Sequence, residues 1–90
     1  MKTAQEFREI AIKEMSTPDM VEAAGQIESL IYVAINKGEN YISLNTGSAT
    51  YRYLCNLTKG YDNLKTYLEL HGYAVDTNVF DDSSFFTVSF

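Results

Sequence analysis

Four residue types are scarce or absent: in 90 residues the sequence holds one cysteine, one histidine, one proline and no tryptophan. Since a disulfide needs two cysteines, Cys55 cannot form one within the chain, and we expect a cytosolic setting. The longest apolar run, residues 30–35, is far shorter than the ~20 residues of a membrane-spanning helix. The first nine residues are amphipathic and of mixed charge, without the apolar core of a signal peptide. A hydrophobic content of 46% predicts one folded domain, 1–90.

Basic charge is sparse and scattered, which disfavours nucleic-acid binding. The seven basic residues are Lys2, Arg8, Lys13, Lys37, Arg52, Lys59 and Lys65. They form no stripe that could neutralise several phosphates. The net charge is −5, but only Asp76, Asp81 and Asp82 lie close together, so a DNA mimic with a dense acidic face is also disfavoured. We therefore expect a protein partner, and neither nucleic acid nor a membrane.

Two helices are predicted in the first half. Residues 3–15 place apolar side chains three and four positions apart, as on one face of a helix. That face comprises Ala4, Phe7, Ile10, Ala11 and Met15. Thr17 is a suitable N-cap and Pro18 a suitable first residue for a second helix, which is predicted to run to Lys37. Its buried stripe is predicted to be Val21, Ala24, Ile27, Ile31, Ala34 and Ile35, widened by Leu30 and Val33, so that more than one side is covered.

The second half mixes strands and helices. Strand segments are indicated by alternation with a period of two and by β-branched and aromatic residues. Ser48 can cap the first helix of this half, and Gly72 ends the second. The predicted elements are a strand over 39–45, helices over 49–58 and 61–71, and strands over 73–80 and 85–90.

These elements predict an α+β fold, with two N-terminal helices followed by a split β-α-β unit and a C-terminal hairpin. The crossover makes the first two strands parallel, and the hairpin makes the last two antiparallel. The third strand carries no charge, unlike a usual edge strand, so we place it in the middle of a three-stranded mixed sheet of order 2-3-1 packed on helices. Phe86, Val88 and Phe90 are expected to face the helices, and Phe85, Thr87 and Ser89 the opposite side.

No set of residues predicts a catalytic, metal or cofactor site. His71 lies in the last turn of a helix, where it interacts favourably with the helix dipole, and no base, nucleophile or second ligand stands at a recognisable spacing. Cys55 falls on an apolar helix face, as core cysteines do, although the cation of Arg52 gives weak support for a reactive thiol. Asp81 and Asp82 have turn composition without calcium-loop spacing. We therefore expect a non-enzymatic protein without cofactors.

The tyrosines are more informative, because six of the seven lie beyond residue 40. A small core cannot hold them all, and exposed tyrosine is enriched at protein interfaces. The alternative is that they line the margin of the core. The candidate interface residues are Tyr41, Tyr51, Tyr53, Tyr73 and Phe85. Of these, Tyr41, Tyr73 and Phe85 are expected to form an apolar patch on the sheet face away from the helices.

Several short motifs resemble those of small phage-encoded proteins of unknown function. They are Ala-Ile-Asn-Lys-Gly at 34–38, Tyr-Ile-Ser-Leu at 41–44, Tyr-Leu-Glu at 67–69, His-Gly-Tyr-Ala-Val at 71–75 and Phe-Thr-Val-Ser-Phe at 86–90. The resemblance spans about residues 20–90, and its motifs are structural rather than catalytic. It implies a phage or prophage origin and a structural or accessory role.

The resulting hypothesis is a phage-type protein that acts through protein–protein contacts in virion structure or assembly. It would reside in the host cytoplasm or the virion, and a homo-oligomer is one form that the contacts could take. One alternative is an inhibitor of a host protein such as a defence nuclease, which the acidic charge and small size favour. Another is a small enzyme or ligand-binding module, which would need a pocket that joins His71 to Cys55 or to a carboxylate.

Overall fold

A computed structural model of the chain describes residues 1–90, except for the side chain of Phe80. Over this part of the chain it contains four helices and three strands. They are α1 (Ala4–Met15), α2 (Pro18–Asn36), β1 (Tyr41–Asn45), α3 (Ala49–Thr58), α4 (Tyr61–Leu70), β2 (Ala74–Phe80) and β3 (Ser83–Ser89). The α+β class is therefore confirmed, and the element bounds lie within a few residues of those predicted.

Local side-chain chemistry fixes where the helices begin. The Thr3 hydroxyl accepts from the Glu6 backbone N–H, and the Glu6 carboxylate accepts from the Thr3 N–H, which makes a capping box at the start of α1. The predicted N-caps are confirmed: Thr17 accepts from the N–H of Met20, and Ser48 from the N–H of Tyr51. These caps replace hydrogen bonds that the first turn of a helix lacks.

A left-handed residue separates α3 from α4. Lys59 has φ 62°, and Gly60, with φ 129°, adopts a conformation that side-chain-bearing residues rarely reach. The Thr58 hydroxyl is buried and donates to the Leu54 carbonyl over 2.9 Å. The chain thus turns sharply between two short helices instead of continuing as one.

The sheet is antiparallel throughout, with the order β1-β3-β2. The predicted position of the third strand in the middle is therefore confirmed, whereas the prediction of a mixed sheet is wrong. The helical crossover does leave β1 and β2 pointing in the same direction, but β3 lies between them. Because the hairpin reverses the chain, β3 runs against both neighbours.

The register gives the sheet one buried and one open face. On the helix side, Val88 lies between Ile42 and Val75, and Phe86 lies beside Leu44. Phe86 and Val88 have no solvent exposure, as predicted for this face. Phe90, predicted for the same face, lies past the end of β3 and is 41% exposed, so it is not part of the core. Its N–H still donates to the Asn40 carbonyl over 3.0 Å.

The helix α2 supplies one wall of the core. Its buried residues are Met20, Ala23, Ile27, Ile31 and Ala34. The predicted stripe was centred too far to one side, since Val21 and Ile35 are 54% and 52% exposed. The predicted widening is also wrong at Val33, which is 52% exposed. The part of the chain that the structure describes thus leaves these outward apolar side chains of α2 largely exposed.

Replacing Phe86 tests the central position of β3. We expect Phe86→Ala to lower the free energy of unfolding by about 3–5 kcal/mol, because the residue is fully buried against the rings of Tyr51 and Tyr61. The same change at exposed Phe90 should cost only about 0.5 kcal/mol. Urea unfolding followed by circular dichroism measures both values. Deletion of residues 85–90 should remove the cooperative transition, and a truncated chain that still unfolds cooperatively would contradict this placement.

Candidate interaction surfaces

The five aromatic residues predicted as an interface do not lie together. Tyr41 and Phe85 point to the open face of the sheet, as predicted. Tyr73 does not: it precedes Ala74, which shares the open face with Tyr41, so it turns to the helix side and packs against the core. Strand alternation explains this correction, because successive side chains point to opposite faces.

The open face of the sheet is mostly polar. Its central row is Ser43, Thr87 and Asp76, and Phe85 lies between Asn45 and Asn78. Tyr41 is paired with Ser89, four residues along β3 from Phe85, which corresponds to about 13 Å. Tyr41 and Phe85 are therefore separated by polar side chains, and the predicted continuous apolar patch is not formed.

Tyr51 belongs to the core margin. Its ring lies 5.5 Å from that of Phe86, and Tyr61 approaches Phe86 edge-on at 5.9 Å. Burial, together with the neighbouring Cys55 thiol, raises the pKa of Tyr51 to about 12. This placement matches the alternative in which tyrosines line a small core.

Tyr53 lies on the outside of α3 and is 43% exposed. Its hydroxyl donates to the Glu22 carboxylate on α2 over 3.0 Å, and this hydrogen bond raises the pKa of Tyr53. Since both partners are exposed, the bond ties α3 to α2 only weakly. Tyr53 remains accessible to a partner, but on a different side of the molecule from Phe85.

His71 lines a small cavity with Tyr67, Tyr73 and Glu28. Its Nδ1 lies 2.9 Å from the Tyr67 carbonyl oxygen, and its ring is 4.6 Å from the Tyr67 ring. The cavity has a volume of about 50 Å³, room for one or two water molecules. Although a carboxylate is present, the space is far below the ~300–1,000 Å³ of ligand pockets, and the His71 ring contacts the last turn of α4.

The other polar candidates lie apart from His71. Cys55 is half-buried beside Tyr51, away from the cavity that holds His71. Asp81 occupies the turn between β2 and β3 with φ 54°, a conformation that aspartate tolerates. Among the side chains that the structure describes, no three histidine, cysteine, aspartate or glutamate residues come together as a metal ion would require.

A larger cavity of about 260 Å³ lies where α1, α2 and the α3–α4 turn meet. Met15, Met20 and Leu57 form its apolar walls, and Lys59 and Asn63 contribute polar groups. The Asn63 amide already donates to the Thr58 carbonyl over 3.0 Å. Thr17 and Asp19 also line it, and neither the Asp19 carboxylate nor the Lys59 ammonium group makes a hydrogen bond with the part of the chain that the structure describes.

The exposed apolar side chains are concentrated on the two N-terminal helices. Those on α1 and α2 are Phe7, Ile10, Val21, Tyr32, Val33 and Ile35, each at least 42% exposed. Sequence periodicity identified most of them as apolar but assigned them to the core. Within the described chain, none of the helices is both long and apolar enough to cross a membrane.

Helix α1 is the most weakly buried element. Each of its 12 residues is described, and none is buried. Ala11, Ile12 and Met15 are half-buried on the side towards α4, whereas Phe7 is 57% and Ile10 42% exposed on the adjacent flank. The predicted buried face is thus rotated: Ile12 is half-buried, whereas Ala4, Phe7 and Ile10 are exposed. We call the surface of Phe7 and Ile10 the α1 flank.

The raised pKa of Tyr51 gives a test at alkaline pH. Its folded-state pKa lies above the ordinary value of 10.0, so the neutral phenol stabilises the fold below pH 10. This contribution, about 1–2 kcal/mol, should be lost as pH rises from about 10 to about 12. Denaturant unfolding across this range should show a smaller loss for Tyr51→Phe than for the unmodified chain. Identical profiles for the two would contradict the packing of Tyr51.

Comparison with known proteins gives the chain no relatives. It matches no protein-family model, and no curated protein or solved structure resembles it at a significant level. No activity, ligand or partner is therefore transferred to the chain from another protein.

Proposed function

We propose that the protein is non-enzymatic and works by binding another protein through the α1 flank. The observation that carries this proposal is a capped 12-residue helix with no buried residue and with Phe7 and Ile10 facing solvent. Fully burying an apolar side chain of this size stabilises a complex by about 1.5–3 kcal/mol. A partner that covered both residues would gain the free energy of apolar burial that the fold itself does not use.

The position of α1 supports the same function. An isolated helix of this length is marginal in water, so α1 depends on its packing against α4 and on the Ser16–Tyr67 hydrogen bond of 2.9 Å. The molecule measures 47 × 29 × 22 Å, and its radius of gyration of 13.7 Å exceeds the roughly 12 Å typical of 90 residues. A helix held along one side of an elongated molecule presents its apolar flank without rearrangement.

The setting that we propose is virion structure or assembly in a phage-infected cell. The resemblance of the short motifs to those of small phage proteins favours this setting, and the absence of a recognisable catalytic constellation in the sequence agrees with a structural role. Inhibition of a host protein is the second candidate, favoured by the net charge of −5 and the small size. The identity of the protein that binds α1 distinguishes the two.

A matched pair of variants tests the proposal. Phe7→Ser/Ile10→Ser removes the apolar flank, whereas Glu9→Ser/Lys13→Ser changes two charged residues of the same helix and also leaves the net charge unchanged. Because all four side chains are exposed, both variants should stay folded. Each tagged protein is incubated with lysate of infected source cells, and retained proteins are identified by mass spectrometry.

We expect one partner to be retained by the unmodified chain and the charge variant, and to bind at least about tenfold more weakly to the apolar variant. A virion protein as that partner would support assembly, and a host enzyme would support inhibition. Equal retention by the two variants would contradict the role of the α1 flank. Retention of nothing by the unmodified chain would contradict binding altogether.

A further inference from the structure

The outer edge of β1 is open and carries no charge. The sheet ends at β1, and the side chains of Tyr41, Ser43 and Asn45 are exposed. Edge strands are usually protected by charge or proline against pairing with another chain. The opposite edge strand, β2, does carry a charge at Asp76 and leads into two further aspartates. The two edges of the sheet therefore differ in their protection.

The hydrogen bonds to β3 show which backbone groups of β1 point outward. Asn40 accepts from the N–H of Phe90, and Thr46 donates to the carbonyl of Ser84. In an antiparallel pair, the N–H and C=O of one residue point to the same side and alternate along the strand. Ile42 and Leu44 thus face β3, and Tyr41, Ser43 and Asn45 direct their backbone groups to the free edge.

A shallow groove of mixed polarity, with Lys37 and Glu39 among its lining residues, follows this edge on the helix side. It has a volume of about 150 Å³ and lies between α2 and β1. Leu30 and Val33 of α2 and Leu44 of β1 contribute its apolar surface, and Val33 is 52% exposed. A strand added to β1 would therefore find hydrogen-bonding groups and apolar side chains on the same side.

We propose that this edge pairs with β1 of a second copy, antiparallel, about a twofold axis at Ser43. In this register Ser43 faces the partner's Ser43, and Tyr41 faces the partner's Asn45, so every outward backbone group meets an outward one. The two serines exchange a pair of N–H···O=C bonds, and Asn45 donates to the partner's Tyr41. The three facing pairs of residues could form six hydrogen bonds. Because the Asn45 carbonyl of each copy already accepts from the Ser48 N–H over 2.9 Å, two of the six would have to share an acceptor, and four remain across the axis.

The side chains of β1 match themselves in this register. From Tyr41 to Asn45 the side chains point alternately to the open face and to the helix side of the sheet. The first and the last point to the open face, so the order is the same in a reversed strand. Ile42 meets the partner's Leu44 on the helix side in a non-hydrogen-bonded pair, where side chains approach most closely. Neutral residues meet on the open face, so no like charges oppose one another. The strand residues of a second copy therefore oppose this edge without charge repulsion.

Pairing of this kind joins two three-stranded sheets into one of six strands. It uses one surface of each copy in the same way, as a closed twofold dimer does. The inference concerns a surface distinct from the α1 flank, so either proposal can fail without the other. It also specifies a register, which makes it testable at single positions.

Cysteine cross-linking tests the register in a Cys55→Ser background. Residues opposite one another in a hydrogen-bonded pair have Cα atoms about 5.5 Å apart, within disulfide range. Under mild oxidation, Ser43→Cys should give a disulfide-linked dimer on a non-reducing gel. Tyr41→Cys lies on the same strand and face, but the two copies of residue 41 are separated by about 13 Å, so it should remain a monomer. Equal cross-linking at the two positions would overturn the register.

Light scattering across a range of protein concentrations tests the dimer itself. Ser43→Lys places two ammonium groups at the twofold axis and should weaken association about tenfold. Thr87→Lys, on the same face but on the central strand, should leave it unchanged, as should the Phe7→Ser/Ile10→Ser variant. Circular dichroism confirms that each variant is folded. A monomeric unmodified chain at every concentration, or a dimer lost in the Phe7→Ser/Ile10→Ser variant, would overturn the proposal.

Discussion

The fold depends on the burial of the helix-facing side chains of β3. Phe86 and Val88 have no exposure, and they lie between β1 and β2 while the rings of Tyr51 and Tyr61 close over Phe86. These contacts join residues from α3, α4 and all three strands. A 90-residue chain has only one modest core, so a strand that contacts so many elements decides whether the others have anything to pack against.

Local and alternating features of the fold were predictable from sequence, because each depends on few residues. The caps at Thr17 and Ser48 and the neutral central strand follow from side-chain chemistry within a short segment. The extent of burial on α1 and α2 was not predictable. Periodicity shows that a helix has an apolar side, but not how much of it the rest of a small chain can cover. Phe7, Val21 and Ile35 are apolar side chains of this uncovered kind.

The candidate surface was mispredicted for a related reason. Residue type indicated that tyrosine suits an interface, but position decides which side each ring faces. Tyr51 and Tyr53 are two residues apart on a helix, about 200° around its axis, so they could not share a surface. Tyr73 is displaced by strand alternation. Both geometric arguments follow from the sequence alone. The exposure of Phe7 and Ile10 does not, because it depends on how α1 packs against α4.

The core leaves two surfaces of different chemistry uncovered, the β1 edge and the α1 flank. The β1 edge offers backbone hydrogen-bonding groups, and a single added strand occupies them. The α1 flank offers apolar side chains without a fixed register. A twofold contact at β1 consumes its surface in both copies and leaves both α1 flanks free. Such a dimer would present two equivalent binding helices to a partner, and a partner with repeated sites, as in an assembling particle, would gain effective concentration from the second contact.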